Sequence, residues 1–211
     1  MLDQNWNGDH AKQDMVQCEE WEFDTSQFSS TITSDFGLVC DKEYLKSIAQ
    51  TFYFVGMIFG VFTFGVLADI YGRKSILIPL LMGMSLSGIM TSQMPTYETF
   101  IVGRVLNAFV VIGIFECYFT YVLEFVGGKW NTIIGGGLEY VWVCGWLLLA
   151  ALAYIFRDWR ELMLYSSVPS LLSFLLYWLI PESPRWLLSM GRMEEAEAIV
   201  KSSAEFNNLA R

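Results

Sequence analysis

Few side chains in this sequence are equipped for chemistry, and the most telling are charges set inside apolar stretches. Asp69, Arg73 and Lys74 lie in GVLADIYGRKS, between two uncharged runs; Arg104 and Glu116 interrupt a third run and Glu139 a fourth. An ionisable group in apolar surroundings is costly, so it normally faces a bundle interior, a water-filled cavity or a partner of opposite charge. The chemistry on offer is therefore ion pairing and ion recognition. No nucleophile, metal-ligand cluster or phosphate loop stands in a credible arrangement, and the single histidine, His10, has no ligand-like company. The residues predict neither an enzyme nor a metal site nor a cofactor.

Spacing narrows the reading. Arg104, Asn107, Val111, Phe115 and Phe119 recur at near-helical intervals and form one stripe, bordered by Glu116. Further on, Glu139, Trp142, Val143 and Trp146 share a face. Carboxylates beside aromatic rings suit a bulky ammonium ion, through charge attraction and contact with ring faces. The same spacing also fits plain packing, with Glu116 paired to another helix.

The elements that must position these groups are membrane helices. A hydrophobic fraction of 54% with 17% charged residues is unusual for a soluble domain and ordinary for a polytopic membrane protein. Residues 47–68, 75–97 and 162–181 carry no charge, and 100–123 and 132–156 carry only the buried-type charges named above. Each is near the roughly 20 residues needed to cross a bilayer core. The expected fold is all-α, a bundle of five transmembrane helices whose short connections make neighbours antiparallel.

Charge orients the bundle. Arg73, Lys74, Lys129, Arg185, Arg192, Lys201 and Arg211 fall on one side, against Arg157 and Arg160 on the other; the richer side is cytoplasmic. Residues 1–43 are then external, as an acidic flank that argues against nucleic acid as a partner. No cleavable signal precedes that flank, which implies a further transmembrane helix upstream. Cys18 and Cys40, in the external flank, are the cysteines placed for disulfide bonding.

Gly72 tolerates the left-handed backbone that a tight turn between antiparallel helices requires, and Gly65 lets another helix come close. Asp69 can pair with Arg73 or meet a helix N-terminus. Taken alone, Arg73 and Lys74 are also adequate as positive-inside anchors. The arrangement GVLADIYGRK resembles the G-x-x-x-D-[RK]-x-G-R-[RK] loop between helices 2 and 3 of the major facilitator superfamily, with Ile70 in place of the usual cation. PESPRWLLSMGRMEEAEAIV, after the last span, resembles the PESPRWL segment of sugar porters and of organic cation, carnitine and organic anion carriers. The stretch from Cys18 to Gly60 is similar to the external loop and second helix of the organic ion carriers, and AYIFRDWRELML to their turn between helices 5 and 6.

The resemblance implies a twelve-helix transporter of which this sequence matches helices 2 to 6, an incomplete N-terminal half. Residues 1–43 would be the remnant of the large external loop, 44–181 the five helices, and 182–211 the start of the cytoplasmic helical segment. It further implies alternating access in a multi-pass protein of the plasma membrane. Gly65, Asp69, Gly72, Arg73, Lys74, Glu124, Glu182 and Arg185 would form a cytoplasmic gating network of ion pairs. Phe115, Glu116, Phe119, Glu139 and Trp142 would contact a small organic ion, an organic cation or zwitterion in the first instance and an organic anion or sugar-like solute in the second. The implied partners are the bilayer and the missing second half of the fold, or else a full-length carrier with which a truncated, non-transporting product associates.

Overall fold

Helix ends fall where the sequence supplies capping chemistry. The computed structural model describes residues 21–126 and 130–206, and from Ile32 onward the described backbone is helical with short connections. Cys18, His10, Lys129 and Arg211 lie outside the described residues. Helix α1 (Ile32–Asp35) is capped by Thr31, whose side chain accepts from the Ser34 amide in a capping box. A 3-10 turn (Cys40–Lys42) leads into α2 (Tyr44–Tyr71), and α3 (Arg73–Ser92) follows after the single residue Gly72. A second capping box, Thr96 with Thr99, opens α4 (Tyr97–Phe125).

The chain then forms α5 (Trp130–Ile155), α6 (Trp159–Ser167) with Asp158 as its cap, a 3-10 stretch (Val168–Leu175) and α7 (Leu176–Leu179). Ser183 caps α8 (Pro184–Ser189), where Pro184 occupies the first turn and loses no helical hydrogen bond. Helix α9 (Met193–Phe206) ends the described part. Among the described residues, five segments are long and apolar enough to cross a membrane: Cys40–Tyr71, Arg73–Ser92, Tyr97–Phe125, Trp130–Ile155 and Trp159–Leu179. The fifth differs from the continuous helix expected over 162–181. Pro169 has no amide hydrogen and its ring opposes the carbonyl four residues back, so α6 gives way to 3-10 winding one residue earlier.

Small residues let the inner helices touch. A side chain at Gly56 or Gly60 of α2 would run into the backbone of Val105 or Phe109 on α4, and one at Gly103 of α4 into Thr91 on α3. Such approach is the usual basis of helix association where apolar lipid supplies no hydrophobic drive. Ala68, Leu77, Leu80 and Cys117 form the shared core of α2, α3 and α4. Hydroxyls tie α3 to α6: Ser85 Oγ donates to the Ser167 carbonyl at 2.6 Å and meets Ser170 Oγ. By contrast, none of the described residues of α5 is buried. The glycine run Gly135–Gly137 of α5 makes no close helix contact among the described residues. Gly136 and Gly137 face open space, and a side chain at Gly135 would only graze Leu123.

Alternation of the helices gathers Gly72, Val126 and Pro181 at the inner end of the bundle. The 92–97 and 155–159 turns meet residues 29–43 at the outer end.

Candidate functional site

The inner end is built around Arg73. Gly72 turns the chain at φ +102°, and a side chain there would meet the Glu182 carboxylate at 2.5 Å. Arg73, the next residue, is thereby thrown back along α2, where Nη2 lies 2.8 Å from Asp69 Oδ1 and Nη1 donates to the Ala68 carbonyl at 2.8 Å. The same guanidinium reaches α4, with Nε and Nη2 each 3.1 Å from Glu124 Oε1. Arg73 and Glu124 are largely buried, at 12% and 13% side-chain exposure, whereas Asp69 is 71% exposed. Glu124 Oε2 is buried without a hydrogen-bond partner among the described residues.

Three expected members of this network, Glu182, Arg185 and Lys74, act otherwise than as ion pairs. Glu182 accepts from the Lys74 amide at 2.9 Å, and so caps the N-terminus of α3, where the helix dipole favours a carboxylate. Arg185 Nη2 donates to the Val126 carbonyl at 3.2 Å, at the end of α4. Lys74 contributes its amide, while its ammonium lies 4.6 Å above the Tyr177 ring. Trp186 is buried, and its indole donates to the Asp69 carbonyl at 2.8 Å. The inner latch therefore joins α2, α3, α4 and α8 by the two charge pairs of Arg73 and several bonds to backbone groups.

Along the other face of α4 the stripe opens onto three successive cavities. The outer one, about 340 Å³, is lined by Arg104, Asn107 and Val111 with Trp159, Met163 and Ser167 from α6. The middle one, about 360 Å³, is wholly apolar and runs from Val111 past Phe115 to Tyr118 and Trp142. The third, about 230 Å³, brings Glu139 and Trp142 of α5 against Phe115, Tyr118 and Phe119 of α4. There Phe115 stacks on Phe119 with centroids 6.1 Å apart and meets Trp142 edge-on at 6.2 Å. Four of the five residues singled out for solute contact thus share one cavity.

Glu116 is not among them. It lines a separate pocket of about 140 Å³ with Gly65, Asp69, Arg73, Cys117 and Thr120. Gly65, expected to admit another helix, has no described atom beside it. Tyr118 is the residue the stripe missed, because one helical step separates it from Phe119 and only the placement of α5 brings it to the cavity.

The outer end holds a second arginine. Arg160 Nη2 and Nε lie 2.7 and 3.0 Å from Asp35 Oδ2, and Nη1 donates to the carbonyls of Ser92 and Met94 at 2.9 and 2.8 Å. Phe36 fills the space beneath, against Tyr97, Phe100 and Trp159. Cys40, nearby, is exposed and makes no disulfide with a described cysteine.

Antiparallel membrane helices with a glycine-turn arginine latch at one end and a lined groove along one helix define the architecture of the major facilitator superfamily. The fold matches the inward-open xylose transporter XylE from E. coli with a TM-score of 0.71 at 19% identity, over 81% of this chain and 46% of that one. The chain belongs to the sugar (and other) transporter family, whose profile matches residues 9–209. It is similar to solute carrier family 22 member 7 of Rattus norvegicus, 35% identical over 193 residues that cover 91% of this chain and 36% of the relative. Solute carrier family 22 member 13 of Homo sapiens is 35% identical over 89% of this chain and 34% of its own length. An organic cation transporter protein of Drosophila melanogaster is 29% identical over 91% and 35%. The chain spans about a third of the length of these curated relatives.

Proposed function

We propose that the carrier containing this chain moves small organic ions across the plasma membrane by alternating access, with organic cations or zwitterions as its preferred solutes. The observation that carries this reading is the third cavity. Glu139 makes no ion pair or hydrogen bond with a described residue, and it shares that cavity with Phe115, Tyr118, Phe119 and Trp142. A carboxylate at membrane depth beside stacked rings attracts a quaternary or bulky ammonium through charge and through the ring faces. The name of the Drosophila relative, an organic cation transporter protein, agrees with that class. In this fold the solute lies between two halves near the midplane. The open groove on α4 and α5 is then one wall, and the second half supplies the other.

In the same scheme Asp69, Arg73, Glu124, Glu182 and Arg185 hold the cytoplasmic ends of α2, α3, α4 and α8 together, and the solute's arrival shifts the balance between closed and open forms. The test is uptake by the complete carrier with Glu139→Gln. Uptake of tetraethylammonium should fall at least about tenfold, more than uptake of an organic anion. Equal losses for both, at normal surface expression, would count against cation recognition at Glu139.

A further inference from the structure

Arg104 is a cation in mid-helix that the described protein leaves unanswered. It stands on the eighth position of α4, about 10 Å along the helix from its outer end. Among the described residues it makes no ion pair and no hydrogen bond; its contact is the Tyr53 ring, 4.5 Å from the guanidinium carbon. Six of the described carboxylates are engaged or line other cavities. Asp35 is held by Arg160, Asp158 caps α6, Glu124 and Asp69 hold Arg73, and Glu116 and Glu139 line other cavities. A guanidinium carries five N–H donors in a planar fork that matches a carboxylate, and a ring contact on its face leaves the edges of that fork free.

The cavity that Arg104 lines has the composition such a ligand requires. Asn107 lies one turn along on the same face; its amide gives one N–H to Ser87 Oγ at 3.1 Å and keeps a second. Ser166, Ser167 and Thr91 also line the cavity, but each hydroxyl donates to a helix carbonyl, at 3.0, 2.7 and 2.6 Å, so none offers a competing proton. The remaining wall is Met84, Gly88, Val111, Leu149, Trp159, Leu162 and Met163. One free cation, one free amide proton and an otherwise mostly apolar lining suit an organic acid with a hydrocarbon or aromatic body.

We propose that Arg104 and Asn107 form a carboxylate subsite in the outer cavity, separate from the aromatic cavity at Glu139. About 16 Å of α4 separates Arg104 from Phe115, so a small solute occupies one subsite or the other and does not bridge them. This deepens the transport reading, because it gives one carrier two places that favour opposite charges.

The test is equilibrium binding of 4-phenylbutyrate and of its neutral isostere 4-phenylbutyramide to the purified complete carrier, beside tetraethylammonium uptake by the unmodified carrier in proteoliposomes. The unmodified carrier should bind the acid at least about tenfold more tightly than the amide. Arg104→Gln should bring that ratio close to one, Arg104→Lys should restore part of it, and Asn107→Ala should lower it severalfold. Met163→Trp, which keeps the charge and fills the cavity, should weaken both ligands. Equal affinity for acid and amide in the unmodified carrier overturns the subsite. So does a ratio unchanged by Arg104→Gln, the result expected if a carboxylate elsewhere in the carrier neutralises Arg104. If the binding ratio behaves as stated while tetraethylammonium is not taken up, the subsite stands and the cation-transport reading falls.

Discussion

Each end of the bundle is closed by an arginine, and the two are used differently. At the inner end Arg73 shares one nearly buried carboxylate, Glu124, and one exposed one, Asp69, and the helices around it are joined by Glu182 and Trp186 through backbone groups. At the outer end Arg160 holds Asp35, with both side chains about a third exposed, and two carbonyls of the α3–α4 turn. A buried pair is strongly destabilised when one partner is removed, because the other charge stays out of water; a half-exposed one is not. The inner end is therefore a high-stakes contact suited to switching, and the outer end a fastener whose parts are individually replaceable.

Arg73→Met should leave Glu124 uncompensated and cost about 3–5 kcal/mol, read as a fall in the melting temperature of the complete carrier. Arg160→Met should cost less, about 1–3 kcal/mol, from the lost charged hydrogen bonds to Asp35, Ser92 and Met94. Should Arg160→Met prove the more damaging, the contrast between the ends is wrong.

Gly72→Ala sharpens the comparison from the backbone. Its φ of +102° is unfavourable for any side chain, and an added methyl would also push Glu182 off the start of α3. About 1–3 kcal/mol is expected from the strain alone. Gly191, also at positive φ but with open space around it, should tolerate alanine better. The smallest effect is expected at Asp69. Its carboxylate is 71% exposed, so Asp69→Asn should change stability by less than about 1 kcal/mol. If Asp69 takes part in gating, the same variant shifts the ratio of inward-facing to outward-facing carrier, which spin-label distances across the inner end would report.

The two ends also differ in how far the sequence alone revealed them. Part of the inner latch was readable because Gly72 and three charges, Asp69, Arg73 and Lys74, are packed between uncharged runs; Glu124 and Glu182 join them from 51 and 108 positions away. What escaped was the way Glu182 works. A carboxylate between two prolines suggests a salt bridge, and only the arrival of α3 beside it turns it into a helix cap. The tie between Asp35 and Arg160 was not legible. Asp35 read as one more acid in the flank and Arg160 as a loop cation, and 125 positions separate them.

On α4, helical geometry already contained the distinction that was missed. At about 100° per residue, Phe115 returns nearly to the direction of Arg104, while Glu116 points roughly a third of a turn away, towards Arg73. Composition could not foresee the 3-10 break in the fifth span, although Pro169 marks it. Nor could a run of glycines on α5 show whether a neighbour was present to exploit it.

The central claim is that one face of α4 lines the solute path while the Glu116 face belongs to the inner latch. Reaction of single cysteines with a small cationic thiol reagent, in the complete carrier with its other cysteines replaced, tests it most directly. Val111→Cys, Phe115→Cys and Phe119→Cys should react and be protected by tetraethylammonium, whereas Glu116→Cys should show no such protection. Protection spread evenly around the helix, or confined to position 116, would contradict the account.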